Sequence, residues 1–554
     1  MKVRVYHNGD DVFIAWKPDG FIEDCRGFAL MRRRNGIEEV VSTWVGFEGQ
    51  AHKDGERRSS TNWPIQKYQW TDYMASPGDK LAYRVLPMIG PNKESLRIDS
   101  SNASEWTEEI ELTREFAPGI EAYFNRGIVA AQWVSRRLGI TDTDLKATKL
   151  SKIISTPNDK FREYLFGPLG ARLFQVLDEA ANDGRDVYAA LYELDDEQLE
   201  AALENLGERA HVVLANGSVK QKGGDQNAPA RERLTGKIDL YDRILKPGVL
   251  GHNKFLVITD NSGKPRWVWT GSQNWTKTGL CTQANNSLLI DNPALAKEYF
   301  QQWERLRDAG GETPEELKES NSTVRSKKIG KTPLNLWFTP TIGQVDLEEA
   351  RDIIVNAKQA ILFLMFNPGP KDTLLNKIIE TARKGAVGNR LYIRGAINQD
   401  PSTTTNPVTL FDSENQQKSD FEVVLPAAVD KATNWFRREL KKLPQAFAMV
   451  HSKVVIVDPF GKNPYIFTGS HNLGPKASGT NDENLLVIRG APGLAAAYAA
   501  NIMAIYNQYR WRFRSSIQPP GKRWDGLKDN DQWQKGYLKE GSTALREINF
   551  WIGG

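Results

Sequence analysis

The sequence predicts a multidomain protein in which an N-terminal all-β sandwich is followed by two pseudo-symmetric α/β domains, each an αβα sandwich. Three observations predict this fold class. Short strands and turns fill residues 1–113, helices and strands alternate from residue 118, and one motif recurs at His252 and His451, 199 positions apart. At 554 residues the chain is also too long for a single hydrophobic core.

The first domain is expected over residues 1–113. Runs of apolar and aromatic residues between turn signals predict strands at 3–6, 12–16, 27–33, 40–45, 81–86 and 106–112. The pattern of Trp16, Trp70 and Tyr83 resembles that of a fibronectin type III module. This resemblance implies that the three aromatic side chains pack between the two sheets. It also implies a module of the kind that binds protein or carbohydrate.

The two α/β domains are expected over residues 118–315 and 332–515, and the tail over residues 516–554 is expected to pack on the body. Apolar periodicity predicts helices at 169–182, 196–205, 347–358 and 372–384. It predicts strands at 186–192, 211–214, 334–338, 360–366 and 389–393. Residues 401–420 are rich in Pro, Ser, Thr, Asn and Asp, which indicates a long loop.

The composition limits the kinds of reaction and the locations that can be expected for this protein. The six histidines and two cysteines give few candidates for an imidazole or thiol reaction, and none of them forms a zinc-binding pattern, so neither metal nor cofactor is expected. Cys25 and Cys281 are expected to be separate buried thiols. No apolar run is long enough to span a bilayer, which predicts a cytoplasmic or peripheral protein, or one exported by a route not visible in the sequence. The formal charge of +4 neither requires nucleic acid nor excludes an anionic substrate.

The repeated motif consists of His-x-Lys, an apolar run and Gly-Ser-x-Asn. Its residues are His252, Lys254, Ser272 and Asn274 in the first copy, and His451, Lys453, Ser470 and Asn472 in the second. On a strand, positions two apart face the same side, so each His and Lys should project together. The Ser and Asn side chains are donors suited to the oxygens of a phosphate. Two imidazoles and two ammonium groups are what double displacement at a phosphodiester needs without a metal.

This doubled motif is similar to the two HKD motifs of the phospholipase D superfamily. The resemblance covers roughly residues 118–515 and implies one site between two halves and a phosphohistidine intermediate. Asp260 and Asp458 occupy the acidic position of the motif and are expected to be structural partners. The first copy is one residue longer between its Lys and Asp, which indicates a bulge. Glu483 is matched with Asn286 by the Leu-Leu pair that follows each, and an acid there would orient a histidine.

The leading hypothesis is a metal-independent phosphodiesterase that hydrolyses phospholipids or transfers their phosphatidyl group, with a peripheral membrane contact. His252 is predicted to be the nucleophile and His451 the acid and base. Two alternatives stay open: a nuclease with the same two histidines, which a basic groove with aromatics would favour, and a catalytically silent scaffold. Retention of His, Lys, Ser and Asn in both copies argues against the scaffold.

Overall fold

A computed structural model describes residues 1–51, 53, 56–127, 143–219, 221–384, 391–398, 421–424, 449–517 and 526–553. The expected loop at 401–420 lies outside the described residues. The described chain divides into two compact units, one drawn from residues 1–114, 496–504 and 517–554 and the other from 115–495 and 505–516.

The N-terminal part of the first unit is built of β-strands. They are β1 (Lys2–His7), β2 (Val12–Lys17), β3 (Cys25–Arg34), β4 (Ile37–Val40), β5 (Ser42–Thr43), β6 (Arg58–Ser59), β7 (Gln69–Asp72), β8 (Lys80–Ile89), β9 (Arg97–Ile98) and β10 (Ile110–Glu111). One sheet has the order β1-β2-β7 and another has the order β10-β8-β3-β4, with β9 beside β8 and a separate β5-β6 pair. The predominance of strands agrees with the sequence, whereas the fibronectin type III assignment stays a prediction.

The aromatic core of this unit differs from the expected one at a single position. Trp16 and Tyr83 are fully buried, as expected. Trp70 is only partly buried and stacks on Trp44, with ring centroids 5.8 Å apart. The fully buried indole is instead that of Trp63, which lies outside the predicted strands. Trp70 therefore does not belong to the core, because its ring lies against another surface tryptophan.

The C-terminal tail packs against these strands within the same unit. Trp551 is buried beneath β1 and β2, where its carbonyl accepts a 2.7 Å hydrogen bond from the Tyr6 hydroxyl and its ring lies 4.4 Å from that of Phe13. Trp533 stacks near Tyr68 at 5.5 Å, and its indole N–H donates to the Cys25 carbonyl at 2.9 Å. The tail thus supplies part of the hydrophobic core of the first unit.

The second unit contains two eight-stranded sheets. The strands of the first are β11 (Glu115–Ala117), β12 (Ile120–Phe124), β13 (Val187–Leu191), β14 (Ala210–Ala215), β15 (Asp239–Arg243), β16 (Lys254–Thr259), β17 (Pro265–Gly271) and β19 (Asn286–Asp291). The strands of the second are β20 (Arg325–Ile329), β21 (Thr332–Phe338), β22 (Ala360–Met365), β23 (Tyr392–Ile397), β24 (Phe421–Val424), β26 (Lys453–Val457), β27 (Tyr465–Gly469) and β28 (Asn484–Arg489). The short strands β18 (Gln283–Ala284) and β25 (Met449–Val450) pair with each other.

The two sheets have the same topology. Their strand orders are β11-β12-β19-β17-β16-β13-β14-β15 and β20-β21-β28-β27-β26-β22-β23-β24. Position for position these orders match, so the sequence repeat is a repeat of structure. We call the part of the unit that carries the first sheet the first half and the part that carries the second sheet the second half. The second sheet includes β20, which precedes the boundary expected at residue 332.

Capping side chains and prolines mark several of the helix ends. They are α1 (Thr143–Ile154), α2 (Lys160–Asn182), α3 (Glu197–Leu206), α4 (Ala228–Leu234), α5 (Lys277–Cys281), α6 (Pro293–Ala309), α7 (Glu315–Asn321), α8 (Val345–Val355), α9 (Leu374–Arg383), α10 (Pro475–Gly479), α11 (Pro492–Ile517), α12 (Lys535–Leu538) and α13 (Thr543–Ile552), with 3₁₀ turns at Gly207–Arg209 and Gln532–Gln534. Asp196 caps α3 by accepting from two backbone N–H groups of its first turn. Helix α2 is interrupted at Gly167, whose φ of 52° lies outside the helical region, just before Pro168. The sequence signal began only after that break.

Both halves present the same ends of corresponding strands at one sheet edge. In the first half this edge is formed by the start of β16, the end of β17, the start of β19 and the end of β13, which are neighbours in the sheet. The start of β26, the end of β27, the start of β28 and the end of β22 form it in the second half. The strands themselves are continuous apolar runs buried on both faces, which fixes these edges rigidly.

Candidate active site

Each half places one histidine and one lysine at its sheet edge. His252 and His451 directly precede β16 and β26, and all four side chains of the two His-x-Lys motifs are at most 4% exposed. Lys254 Nζ donates to the carbonyl of His252 at 2.7 Å, and Lys453 Nζ donates to that of His451 at 2.6 Å. This hydrogen bond holds each lysine beside its own histidine. The two residues are two positions apart, and side chains at that spacing on an extended chain lie on the same side.

An aromatic ring covers each His-Lys pair. Tyr192 lies 4.7 Å from the His252 ring and 4.7 Å from Lys254 Nζ. Phe366 lies 4.6 Å from the His451 ring and 4.7 Å from Lys453 Nζ. Neither residue belongs to the repeated motif. They could have been found, because each is the first residue after the corresponding strand, β13 or β22.

The Nδ1 atom of each histidine meets an acceptor from the opposite half. His252 Nδ1 lies 3.1 Å from Glu483 Oε1, and His451 Nδ1 lies 2.9 Å from Asn285 Oδ1. The expected match of Glu483 with Asn286 is therefore wrong by one residue, since Asn285 occupies the corresponding position. The strand register explains this difference of one residue. The backbone N–H groups of the two motif serines donate to the carbonyls of Asn286 and Asn484, so Asn286 corresponds to Asn484 and the preceding Asn285 to Glu483. With Nδ1 occupied, Nε2 of each ring is the atom left for reaction.

Asn285 fixes the tautomer of His451. Its Nδ2 donates to the Gly279 carbonyl at 2.8 Å, and its backbone N–H donates to Asn125 at 2.8 Å. The Oδ1 atom consequently faces the imidazole and can only accept a hydrogen bond. Neutral His451 must therefore carry its proton on Nδ1 and its lone pair on Nε2.

Glu483 is held as an anion although it is completely buried. Its carboxylate accepts from the backbone N–H of Asn472 at 2.7 Å and from Asn481 Nδ2 at 2.9 Å. Burial alone would raise the pKa of this carboxyl, but the neighbouring His252, His471 and Asn481 lower it to about 2. His252 thus has a carboxylate partner where His451 has a neutral amide, and this difference distinguishes the two imidazoles.

Each segment that precedes a histidine is bonded to the opposite half. In front of His252, the Leu250 carbonyl accepts from the backbone N–H of Asp482 at 2.9 Å. A buried bidentate ion pair joins Arg243 of the first half to Asp482 at 2.7 and 3.0 Å. In front of His451, the backbone N–H of His451 donates to the Ala284 carbonyl at 3.0 Å. The site therefore exists only where the two halves meet.

Burial lowers the pKa of every basic group in the site. Burial, aided by Lys254, lowers the pKa of His252 to about 4. Burial together with Lys453, Lys254 and His252 lowers the pKa of His451 well below its usual value. Burial lowers the pKa of Lys254 to about 7, and that of Lys453 also falls well below its usual range. These mutual influences place all four cationic groups in one cluster, which an anion would stabilise.

The serines and asparagines of Gly-Ser-x-Asn lie at the same edge. The Ser272 hydroxyl accepts from the Asn286 backbone N–H at 3.1 Å and donates to Asn285 Oδ1 at 2.8 Å. The Ser470 hydroxyl accepts from the Asn484 backbone N–H at 3.0 Å. Both hydroxyls thus link β-strands within the protein. Asn274 and Asn472 each have a buried Oδ1 without a partner among the described residues.

The acidic residues of the two motif copies are not equivalent. Asp458 accepts hydrogen bonds from the backbone N–H groups of Lys358, Gln359 and Ala360 at 2.6 to 3.1 Å, which fixes the start of β22. In the first half the corresponding place is taken by Thr259, whose N–H donates to the Asp186 carbonyl. Asp260 instead lies one residue further on in a hairpin turn.

The extra residue of the first copy explains this difference. The bulge expected between Lys254 and Asp260 is not found, because β16 pairs with β13 in unbroken register from Lys254 to Ile258. The pairing of β16 with β17 instead shifts after Ile258 by skipping Arg266 of β17, so the extra residue lies in the hairpin between the two strands. Asp260 accepts from the backbone N–H of Ser262 at 2.8 Å, inside its own turn, and does not reach the site.

His471, the histidine inside the second Gly-Ser-x-Asn motif, forms a buried pair with an acid of the second half. Its Nε2 lies 2.9 Å from Asp346, and both side chains are completely buried. Hydrogen bonding to Asp346 raises the pKa of His471 against the opposing effect of burial. Its position corresponds to that of Gln273 in the first copy, so it supports the loop that carries Asn472.

A comparison with known protein families agrees with this geometry. Residues 164–307 and 351–506, together more than half of the chain, match the family model described as "Cardiolipin synthase, PLD-like domain". The chain belongs to the phospholipase D superfamily. At this level it is a phospholipase D-like phosphodiesterase, and each matched range contains one His-x-Lys motif.

Curated relatives of this phospholipase D-like chain include two bacterial proteins named "Phospholipase D". The protein of Rickettsia bellii is 26% identical over 182 residues, which cover 30% of this chain and 85% of the relative. That of Rickettsia conorii is 27% identical over 139 residues, which cover 24% of this chain and 64% of the relative. Among solved structures, the phosphatidylserine synthase of Haemophilus influenzae is 13% identical, with a TM-score of 0.38, over 68% of this chain and 90% of that protein.

One acidic residue near the phospholipase D motifs was not predicted from them. Glu193 follows Tyr192, and its carboxylate accepts a 2.6 Å hydrogen bond from Asn274 Nδ2. Burial raises the pKa of Glu193, while the nearby Lys254 opposes this shift. Glu193 does not occupy a position of the motif, and its contact with Asn274 forms only where the end of β13 meets the end of β17.

Within the described residues, no group of three or more His, Cys, Asp and Glu side chains is arranged to hold a metal ion. No described helix is both long and apolar enough to cross a bilayer. Cys25 and Cys281 are free and buried, as expected from the sequence.

Proposed function

We propose that the protein is a phosphodiesterase that acts on phospholipids by double displacement through a phosphohistidine. The observation that carries this proposal is the pair of buried histidines, one from each half, whose Nδ1 atoms are held by Glu483 and Asn285 and whose Nε2 atoms are left for the substrate. The phospholipid substrate is supported by the family description and by the names of the Rickettsia relatives.

In the first step, Nε2 of neutral His252 forms a bond to phosphorus and the bond from phosphorus to the leaving oxygen breaks. Glu483 at Nδ1 stabilises the positive charge that this ring then acquires. His451 donates its Nε2 proton to the departing alcohol. Although burial and the neighbouring Lys453 lower the pKa of His451, a bound phosphodiester anion favours its protonated form.

In the second step, neutral His451 accepts a proton from water or from a second alcohol. The resulting oxygen nucleophile attacks phosphorus, the P–N bond breaks, and its electron pair returns to His252. Lys254 and Lys453 bind the nonbridging oxygens throughout, assisted by the amides of Asn274 and Asn472. Every proton and electron pair is thus accounted for by the substrate, water and two imidazoles, and we propose that no metal takes part.

The histidines are tested by substitution and by trapping. We expect His252→Ala and His451→Ala each to abolish turnover of a chromogenic phosphodiester, with no effect of a chelator on the wild type. His211→Ala is the matched control, since His211 stacks on Tyr188 outside the site. With radiolabelled substrate, acid-labile phosphate should remain on the denatured wild type and be absent from His252→Ala. Labelling of His252→Ala but not of His451→Ala would reverse the two roles.

The substrate class is tested by comparing turnover of phosphatidylcholine in mixed micelles, bis(p-nitrophenyl) phosphate and single-stranded DNA. Cleavage of the lipid and the small diester is expected. Cleavage of DNA without cleavage of lipid would replace the phospholipase proposal by the nuclease alternative. A wild type that cleaves none of the three would refute the phosphodiesterase proposal altogether.

A further inference from the structure

We propose that Arg243 is a positioning residue for the reaction, because its ion pair with Asp482 fixes the carboxylate of Glu483 against His252 Nδ1. This inference rests on the proposed phosphodiesterase function. It goes beyond that function by assigning a role in the chemistry to an arginine that lies outside both copies of the motif. Three observations support it: the contacts of the guanidinium, the attachment of Glu483 and His252 to different halves, and the different arrangement in front of His451.

The guanidinium of Arg243 joins three segments of the chain. Arg243 is the last residue of β15, and both it and Asp482 are only 1% exposed. Its Nε and Nη2 atoms donate to the two carboxylate oxygens of Asp482 at 2.7 and 3.0 Å. Its Nη1 atom donates to the carbonyls of Gly310 and Glu312, between α6 and α7, at 2.5 and 2.9 Å. A planar guanidinium that makes these four bonds fixes the direction of each partner as well as its distance.

Glu483 is attached to the second half by its main chain. Its backbone N–H donates to the Thr339 hydroxyl at 2.9 Å, and its carbonyl accepts from the Thr339 N–H at 3.0 Å. His252 belongs to the first half, where it directly precedes β16. The 3.1 Å separation between Glu483 Oε1 and His252 Nδ1 therefore depends on the contacts that hold the two halves together at this point.

Asp482 contacts the chain just ahead of His252. Its backbone N–H donates to the Leu250 carbonyl at 2.9 Å. A Cβ atom added at Gly251 would lie 3.6 Å from Asp482 Oδ2, so this carboxylate packs beside the residue that directly precedes the histidine. Arg243 fixes the same carboxylate by two hydrogen bonds that water does not reach. The ion pair thus determines where the chain before His252 lies relative to the residue that follows Asp482.

The segment before the second histidine is held in a different way. The residue that corresponds to Asp482 is Ala284, which has no charge to pair. Here β18 and β25 pair as a short parallel ladder. The Ala284 carbonyl accepts from the backbone N–H of His451 and from the hydroxyl of Ser452, both at 3.0 Å. Backbone pairing therefore holds His451 in place, and only the first histidine depends on Arg243.

The test removes the ion pair without changing the net charge beside His252. Arg243→Met/Asp482→Asn loses one positive and one negative charge together. Arg32→Met/Asp72→Asn is the matched control, because Arg32 and Asp72 form a buried ion pair at 2.5 Å in the first unit. Circular dichroism and urea unfolding establish that each variant is folded at the temperature of the assay.

Two measurements are made on each protein. The rate constant for single-turnover cleavage of bis(p-nitrophenyl) phosphate reports the first chemical step. The Nδ1 proton of His252, when it is bonded to a carboxylate, gives a downfield proton NMR signal that reports the contact itself. This signal is assigned by its loss in Glu483→Gln and its persistence in Glu197→Gln, since Glu197 is an exposed carboxylate paired with Lys277.

We expect Arg243→Met/Asp482→Asn to lower the single-turnover rate constant by about tenfold or more, since a misplacement of about 1 Å can lower a rate roughly 100-fold. The substrate concentration at half-saturation should change little, and the downfield signal of His252 should disappear. Arg32→Met/Asp72→Asn should retain both the rate constant and the signal.

A folded Arg243→Met/Asp482→Asn that keeps the signal and the wild-type rate constant would show that the ion pair only stabilises the fold, and the inference would be wrong. Equal losses in the Arg32→Met/Asp72→Asn control would overturn it as well, because they would follow from the loss of any buried pair. A wild type that cleaves no diester would refute the proposed function, and the NMR signal alone would then decide whether Arg243 positions Glu483.

Discussion

Replacing Glu483 by glutamine tests whether the carboxylate behind His252 drives the first chemical step. Glu483→Gln keeps the size of the side chain and an oxygen that can still accept from Asn481 at the Oε1 position, but the amide NH2 cannot accept from the backbone N–H of Asn472. It removes the negative charge that faces His252 Nδ1 at 3.1 Å. The variant gives His252 a neutral partner of the kind that Asn285 already provides for His451.

The size of the effect follows from the ionisation of the pair. Burial opposes ionisation of Glu483, but its contacts with His252, His471 and Asn481 lower its pKa to about 2, so the carboxylate is present to stabilise a cationic His252. A hydrogen bond to a charged group contributes roughly 1.5–3 kcal/mol, against about 1 kcal/mol for a neutral one. Since His252 becomes cationic only as the phosphohistidine forms, the difference should appear in kcat. We expect kcat to fall roughly 10- to 100-fold with little change in KM.

Single-turnover cleavage of bis(p-nitrophenyl) phosphate measures this step directly, with Glu197→Gln as the charge-matched control. Urea unfolding as a function of pH gives an independent readout. Because the folded-state pKa of Glu483 is depressed, its stabilising contribution is present above pH 4.5 and is lost as the pH falls towards 2. The excess stability of the wild type over Glu483→Gln should follow that course. A folded Glu483→Gln whose kcat stays within threefold of the wild type would refute the reasoning.

Four further outcomes are expected. Asn285→Asp should raise the pKa of His451 and shift the pH–rate profile upward, and an unchanged profile would contradict the assigned contact. Asp458→Ala should lower the free energy of unfolding by about 1–3 kcal/mol, whereas Asp260→Ala, in an exposed turn, should lower it by less than Asp458→Ala does, as measured by urea titration. In the wild type, kcat/KM should decline above about pH 7 as Lys254 loses its proton, and a level profile to pH 9 would exclude that lysine as the controlling group. Trp551→Ala should destabilise the first unit by about 3–5 kcal/mol, so an unchanged unfolding midpoint would show that the tail adds little to its core.

Structural elements that depend on a local residue pattern can be predicted from the sequence. Strands β16 and β26 were evident as apolar runs, and the His-x-Lys spacing placed each lysine beside its histidine because side chains on a strand alternate. Helix α2 was recognised only after Pro168, because the break at Gly167 interrupts the helical period. The repeated motif predicts two similar halves, and the two sheets have the same strand order.

Contacts between distant segments could not be predicted in the same way. The match of Glu483 with Asn286 failed because the sequence after each residue is similar, whereas only the strand register shows that Asn285 faces His451. Asp260 is displaced for a related reason, since the hairpin that follows β16 is one residue longer than its counterpart in the second half. Trp551 lies far along the chain from Tyr6, and no periodicity connects them. Each of these depends on tertiary pairing, which a single sequence does not encode locally.

The exchanged partners explain how a duplicated site can acquire two different histidines. Since the Nδ1 partner of each imidazole lies at the start of a strand in the opposite half, a substitution in one half alters the reactivity of the other. Glu483 in the second half acts on His252, and Asn285 in the first half acts on His451. Glu193, by contrast, acts on its own side, beside Lys254 and Asn274. The two halves are therefore coupled through the partners of their histidines, whereas Glu193 and Asn274 are linked within the first half alone.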